Sequence, residues 1–389
     1  MKVLYVNHTS RISGGERSLL DLLGALPEHV APAVACPAGP LADALRVPWR
    51  RMPSIDASLR LHPLHTPHGL VMLIAAALAV RRAAARMRAD LLHANSVRAG
   101  LVTGIAARLG APPAIVHVRD CLPPAAASAA SMRLLASGAR VVLVNSDYTW
   151  RSVEALIGAG RAPLRVVHSP VDVDRFDPDR HDPRAARAAL GISPDAPVLA
   201  VVAQLTPWKG QDDAIRIVAR LKRTHPGVRL LLIGTATFSG RSTRHDNQAY
   251  VRRLHTLIAE QDVTREVVLL GERADVPALL RCVDVLLVPS WEEPFGRAVV
   301  EGMAMGVPVV ATSVGGPAEI LRDHVDGLLL APRRPALWAA EIDALLADPN
   351  RRSSMGSSAR RRALERFGLD GHVNAVLAAY GEALAGRRR

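Results

Sequence analysis

Short aliphatic, largely β-branched runs alternate with helix-periodic segments through almost the whole chain. No other feature constrains the fold as tightly. Candidate strands are 2–7, 32–36, 90–94, 114–118 and 140–145, then a second series at 198–203, 229–233, 267–270, 285–289 and 307–311. Between them a helical period recurs at 18–26, 97–109, 212–222 and 250–260. Strands that are apolar on both faces and separated by helices belong in a parallel sheet covered on both sides. Two series predict two doubly wound, Rossmann-like domains facing a cleft, and 389 residues suit that division. The seam falls in HSPVDVDRFDPDRHDPR (168–184), where proline and aspartate break every apolar period. The expected domains are 1–175 and 176–370, with a C-terminal helix, 371–389, free to pack back on the first domain. The cleft is the default binding site of such a pair.

Composition excludes several functions. Aromatics are only 3 %, too few for base-stacking nucleic-acid platforms. Cys36, Cys121 and Cys282 lie far apart without ligand spacing, so neither a disulfide framework nor a zinc site is expected, and the chain reads as cytoplasmic. No apolar run reaches the ~20 residues of a membrane span, and MKVLYVNH reads as a strand and not a leader. The net charge of +13 comes almost wholly from arginine, since only Lys2, Lys209 and Lys222 are lysines. A diffuse basic field favours phosphate-bearing small molecules, and no reading module accompanies it to suggest nucleic acid. No oligomeric state is assigned.

The most informative stretch is VPSWEEPFGRAVVEGMAMGVPVVATSVGGPAEI (288–320). A strand ends at Pro289, Glu293 sits in the loop, a helix opens near Phe295–Gly296, and Glu301 lies inside it. Free backbone N–H groups at a helix start attract a diphosphate. Two carboxylates eight positions apart can accept from two sets of hydroxyls. The competing reading makes Glu293 a dipole partner and Glu301 a solvated helix residue. Gly302, Gly306, Gly315 and Gly316 let further turns come close to the same point.

A second element, VAQLTPWKGQD (202–212), joins strand to helix near Gly210. Lys209 there is a point charge for phosphate in a chain that otherwise chooses arginine. In the first domain, Gly14 and Gly15 open the first helix without GxGxxG spacing, which disfavours a dinucleotide cofactor. Asn95 and Ser96 stand at another strand-to-helix turn, Arg119 and Asp120 follow the strand IVHV, and His117 alternates with Val116 and Val118 as a core strand histidine would. The stretch 69–88 has an apolar body and a basic end. It reads as a buried helix between core elements, with membrane contact as the alternative.

PSWEEPFGRAVVEGMAMGVPVVAT resembles the signature of the retaining, GT-B-fold glycosyltransferases of family 4. That resemblance implies a nucleotide-diphospho-sugar donor as co-substrate, no other cofactor and no metal. Glu293 would hold donor sugar hydroxyls and Glu301 the ribose. The amides of Phe295 and Gly296 would face the sugar and diphosphate. VAQLTPWKG resembles the family's GRLxxxKG; Lys209 and Gly210 match, while Gln204 stands where the family has a second cation. Arg297 is the candidate replacement. Gly14 and Gly15 would lie against the donor phosphates. Arg119 and Asp120 occupy the place of a family His-Asp pair and, with Asn95 and Ser96, would face the acceptor.

The sequence therefore points to a retaining hexosyl or N-acetylhexosaminyl transferase, with UDP-N-acetylglucosamine or UDP-glucose as donor and a small soluble acceptor. The TPWKGQD and HVRD variants resemble enzymes acting on the aminocyclitol 2-deoxystreptamine in antibiotic biosynthesis. Competing functions are an exopolysaccharide or lipid-linked glycan transferase, a UDP-sugar 2-epimerase and a non-catalytic nucleotide-binding regulator.

Overall fold

The computed structural model describes residues 1–55, 66–236 and 245–385. The chain divides into two compact units. Unit 1 is Met1–Pro170 together with the chain from Leu369 onward, and unit 2 is Val171–Gly368.

Unit 1 is built on seven strands: β1 (Lys2–Val6), β2 (Ala31–Cys36), β3 (Trp49–Arg51), β4 (Leu91–Ala94), β5 (Ala114–Val118), β6 (Ala139–Val144) and β7 (Leu164–Val166). They lie in the order β3-β2-β1-β4-β5-β6-β7 and every pairing is parallel. Unit 2 has six: β8 (Val198–Val202), β9 (Arg229–Ile233), β10 (Val267–Gly271), β11 (Val285–Val288), β12 (Val309–Thr312) and β13 (Gly327–Leu330). Their order is β10-β9-β8-β11-β12-β13, again all parallel. Both are doubly wound α/β units. The central strands β4, β5, β11 and β12 are buried at every position, as helices on both faces require.

In each unit the strand order reverses once, between β1 and β4 and between β8 and β11. Loops leaving the carboxyl ends of such neighbours run to opposite faces and leave a crevice between them. The sequence motifs follow these very strands. Gly14–Gly15 come after β1 and Asn95–Ser96 after β4, while Lys209–Gly210 come after β8 and Glu293 after β11.

Three strands escape the sequence reading: β3, β7 and β13, of three, three and four residues. WRR and LRV are edge strands too short to show a period. The first helix, Gly14–Gly24, starts four residues before the periodic segment because its opening turn is made of glycines and Glu16. The stretch expected as a buried helix forms Thr66–Met87 and is covered on one face only. Ala76, Ala77, Val80, Ala83 and Ala84 are in the core, while Leu70, Val71 and Ile74 are exposed. Among the described residues no helix is long and apolar enough to cross a membrane.

The C-terminal helix, Leu369–Ala385, joins the core of unit 1 through Val373, Val376, Ala379, Tyr380 and Ala383. Its polar positions meet a row of buried rings. Tyr5, His93, His117 and His372 stack with centroids 5.0, 5.9 and 6.1 Å apart. His93 Nδ1 lies 2.7 Å from Tyr380 Oη, which in turn donates to Tyr5 Oη at 2.8 Å. His372 Nδ1 lies 2.7 Å from the carbonyl of His168. Burial, then the positive charge of Arg119, pushes His93 down to about 3 and His117 well below the usual imidazole range.

An unfolded chain takes up a proton on each histidine near pH 6.5, whereas folded His93 resists until about 3. Its contribution to stability is complete above about 6.5 and is lost as the pH falls through that window, by up to ~1.4 kcal/mol per pH unit. Denaturant unfolding at pH 7.5 and 5 should show the wild type losing more stability on acidification than His93→Gln. Equal losses in both would contradict the burial of a neutral imidazole.

Candidate functional site

In unit 2, three loops at the carboxyl ends of β8, β11 and β12 are stitched together through backbone. The Trp291 amide donates to the Trp208 carbonyl at 2.8 Å, Glu293 forms a parallel bridge with Gly315, and the Gly316 amide donates to the Glu293 carbonyl at 2.8 Å. Glycine is required where the loops touch. A Cβ on Gly210, whose φ is +70°, would lie 2.1 Å from the Pro289 carbonyl oxygen. One on Gly315, at φ +106°, would lie 2.1 Å from the Glu293 carbonyl oxygen. Gly316 is pressed against Phe295 in the same way, so these two glycines bring the β12 loop to the β11 loop. Gly302 instead lets its helix settle on Leu286 and Val309 of the sheet, and Gly306 supplies a left-handed turn.

This stitching fixes Glu293, whose side chain is 10 % exposed. Lys209 Nζ donates to Glu293 Oε2 at 2.5 Å, and Ser290 Oγ donates to the same oxygen at 2.9 Å. The ammonium also sits 4.0 Å from the centre of the Trp208 ring. The two groups read separately from the sequence as a sugar acceptor and a phosphate cation thus form one half-buried ion pair. At the first turn of the following helix, Arg297–Ala304, Arg297 Nη2 donates to Oε1 of Glu301, four positions on, at 3.2 Å. Arg297 is therefore engaged with the second glutamate. Phe295 is buried against Phe367 with ring centroids 6.1 Å apart, and Gly296 is the left-handed residue before the helix. Gln204 is half-buried, and its backbone carbonyl accepts from Gln211 Nε2 at 2.8 Å.

The helix Gln211–Leu221 that follows Gly210 begins with two buried carboxylates. Arg216 donates to Asp212 at 2.9 Å and to Asp213 at 3.3 Å, and Tyr250 Oη bonds to Asp212. Burial, then the neighbouring Asp212 charge, holds the Asp213 carboxyl above its ordinary range. Among the described residues no three His, Cys, Asp or Glu side chains gather as a metal site would need.

In unit 1 the corresponding loops converge on Asn95. Its Nδ2 donates to Asn7 Oδ1 at 3.0 Å and to the Gly15 carbonyl at 3.2 Å, while Arg119 Nη2 donates to its Oδ1 at 3.3 Å. Arg119 also reaches His117 Nδ1 at 3.1 Å and Ser169 Oγ at 3.3 Å. Its Cδ lies 3.4 Å from where Gly15 would carry a Cβ. Gly14 opens the first helix, and both the amide and the hydroxyl of Ser13 donate to Glu16. Glu16 in turn accepts from Asn7 Nδ2 at 3.2 Å. Ser96 caps the helix Val97–Arg108 by accepting from the Ala99 amide at 3.2 Å, and its hydroxyl lies 2.9 Å from His8 Nδ1. Arg119 enters this network, whereas Asp120 is exposed.

Sequence reasoning missed Ser290, Trp208, Trp291, Asn7, Glu16 and Ser169. Glu16 carried a readable signal, because SGGE is a serine followed three positions later by glutamate, a capping box. The others carry none, since each acts on a partner fixed only by the fold.

Residues 12–175 match Glycosyltransferase Family 4, and residues 182–362 match Glycosyl transferases group 1. Each match takes in a little under half of the chain, and the fold is that of GT-B proteins. Among curated relatives, the D-inositol 3-phosphate glycosyltransferases of Mycobacterium tuberculosis and Mycobacterium bovis are 37 % identical over 248 residues. That match takes in 62 % of this chain and 48 % of each relative, so the chain spans about half the length of the curated relatives it matches. Among solved structures, Anabaena Alr3699/HepE in complex with UDP-glucose has a TM-score of 0.84 at 27 % identity, covering 98 % of this chain and 99 % of that one. Sucrose-phosphate synthase of Thermosynechococcus elongatus, at 19 % identity and a TM-score of 0.80 over 99 % of both chains, shares the fold. The relatives' names carry a phosphorylated cyclitol and not an aminocyclitol, so they do not bear out the expected 2-deoxystreptamine subgroup.

Gly315→Ala should displace the Glu293 loop, because both its φ and its contact forbid a Cβ. The expected cost is at least ~2 kcal/mol, from overpacking added to backbone strain. A thermal transition indistinguishable from wild type would contradict the described approach of the two loops.

Proposed function

We propose that the chain is a retaining glycosyltransferase that moves a hexosyl or N-acetylhexosaminyl group from UDP-glucose or UDP-N-acetylglucosamine to a hydroxyl of a small soluble polyol. A phosphorylated cyclitol is the first candidate acceptor. One observation carries the reading: the turn after β11 presents Glu293 beside Lys209 and leads, through Gly296, into the helix that carries Glu301. That is a cation, a helix start and two carboxylates on one short path, the set a sugar joined to a nucleoside diphosphate calls for. The UDP-glucose complex of the Anabaena neighbour supports the donor, and the inositol phosphate relatives support the acceptor.

In this reading Lys209 and the amides of Phe295 and Gly296 stabilise the departing diphosphate. Glu293 holds sugar hydroxyls and Glu301 the ribose. Gly14 and Gly15 lie against phosphate, and Asn95, Ser96 and Arg119 belong to the acceptor side. The bond from the sugar's anomeric carbon to the phosphate oxygen breaks, and the acceptor oxygen bonds to that carbon on the same face. The acceptor proton passes to the departing phosphate. Catalysis is then positional and electrostatic, without a protein nucleophile or a divalent ion.

A donor screen followed by mass spectrometry tests the whole reading, with inositol phosphate, free inositol and an aminocyclitol as acceptors. Transfer to the phosphorylated cyclitol, undiminished by EDTA, is the expected result. Hydrolysis or epimerisation of donor alone would redirect the assignment to another class. Two substitutions separate the carboxylates. Glu301→Ala should weaken UDP binding by about 1.5–3 kcal/mol, the range for a hydrogen bond to a charged group. Glu293→Ala should spare UDP binding while transfer falls roughly 10²-fold. Equal losses from both in calorimetry would end this division of roles.

A further inference from the structure

We propose that Arg297 is a positioning residue for Glu301: it holds that carboxylate ready for a nucleoside diol and cancels its charge beside an incoming diphosphate. The proposal rests on the reading of Glu301 as the ribose-binding group.

Helix physics does not account for this arginine. Arg297 is the first residue of its helix, where the dipole disfavours a cation. Its partner lies four residues toward the carboxyl end, the less favourable order for an ion pair on a helix. Both side chains are largely withdrawn from water, at 15 % and 11 % exposure, so each has given up hydration to make the pair. Three features that work against local stability converge on one contact.

That contact engages only Glu301 Oε1; Oε2 has no hydrogen-bond partner among the described residues. A carboxylate clamped at one oxygen keeps the other open, oriented and able to accept from vicinal hydroxyls. Bare, the same carboxylate would repel a diphosphate drawn to the helix start. Paired with a guanidinium, it presents an acceptor without net charge. A guanidinium bound to Glu301 also differs in kind from a clamp on the diphosphate, which was the sequence-based expectation for Arg297 in place of the cation absent at Gln204.

Calorimetry with UDP and with uridine separates the two tasks. If Arg297 acts through Glu301, Arg297→Ala should weaken uridine about five- to tenfold, as for an impaired charge-assisted hydrogen bond, and UDP by at least that factor, because the uncancelled carboxylate then faces the diphosphate. The double variant Arg297→Ala/Glu301→Ala should then bind no more weakly than Glu301→Ala alone. Arg297→Lys should recover part of the loss, because it restores the charge without the planar fork. Arg297→Gln serves as a second variant if the alanine form does not fold, with thermal unfolding recorded for each. A loss for UDP with none for uridine, or losses that multiply in the double variant, would overturn the proposal and make Arg297 a direct phosphate ligand. Should Glu301→Ala leave uridine binding intact, the ribose assignment itself fails and the positioning role falls with it.

Discussion

The architecture of the candidate site depends on how closely three backbone loops can approach one another. Peptide groups from the ends of β8, β11 and β12 meet at Gly210, Gly315 and Gly316 with no room for a single carbon atom between them. Backbone hydrogen bonds across those approaches, from Trp291 to Trp208 and from Gly316 to Glu293, tie the Glu293 loop to its neighbours beyond the ends of the strands. A carboxylate carried on such a loop is held by the fold and not by its own rotamer preferences. The sheet order explains why these loops meet at all, since β8 and β11 flank the point in unit 2 where the strand order reverses.

Electrostatics follow from that geometry. Glu293 stands just before a helix start and Glu301 inside that helix, and each has a cation: Lys209 for the first, Arg297 for the second. Ion pairs this far withdrawn from water are a poor way to stabilise a fold, because lost hydration offsets most of the attraction. Their value lies in orientation. Each carboxylate has one oxygen fixed by its cation. Unit 1 uses the opposite device, a chain of neutral amide and hydroxyl partners around the single guanidinium of Arg119. The same guanidinium helps keep His93 and His117 neutral in the core behind it.

Much of this was legible in the chain. Short, mostly apolar runs such as VLLV and AIVHV, set between helical periods, read as central parallel strands, and the glycines and prolines that end them placed the loops correctly. The short edge strands WRR and LRV were not legible, since three residues beside a neighbour show no period. Of the two polar residues at the turn after β4, Ser96 is the one whose side chain takes the helix amide. Asn95 instead ties the Gly15 turn to Arg119, a task no local pattern announces.

Sequence by itself determined the two doubly wound units, the strand-to-helix turns that carry chemistry, and which residues stand in them. These properties are local: apolar period, turn chemistry and helix starts depend on neighbours within a few positions. Tertiary structure alone decided who pairs with whom. Lys209 and Glu293 are 84 positions apart, His93 and Tyr380 are 287 apart, and nothing in either segment names the other. Such partners are chosen by strand order and by which loops can approach without a clash, and both are set only when the whole sheet is assembled.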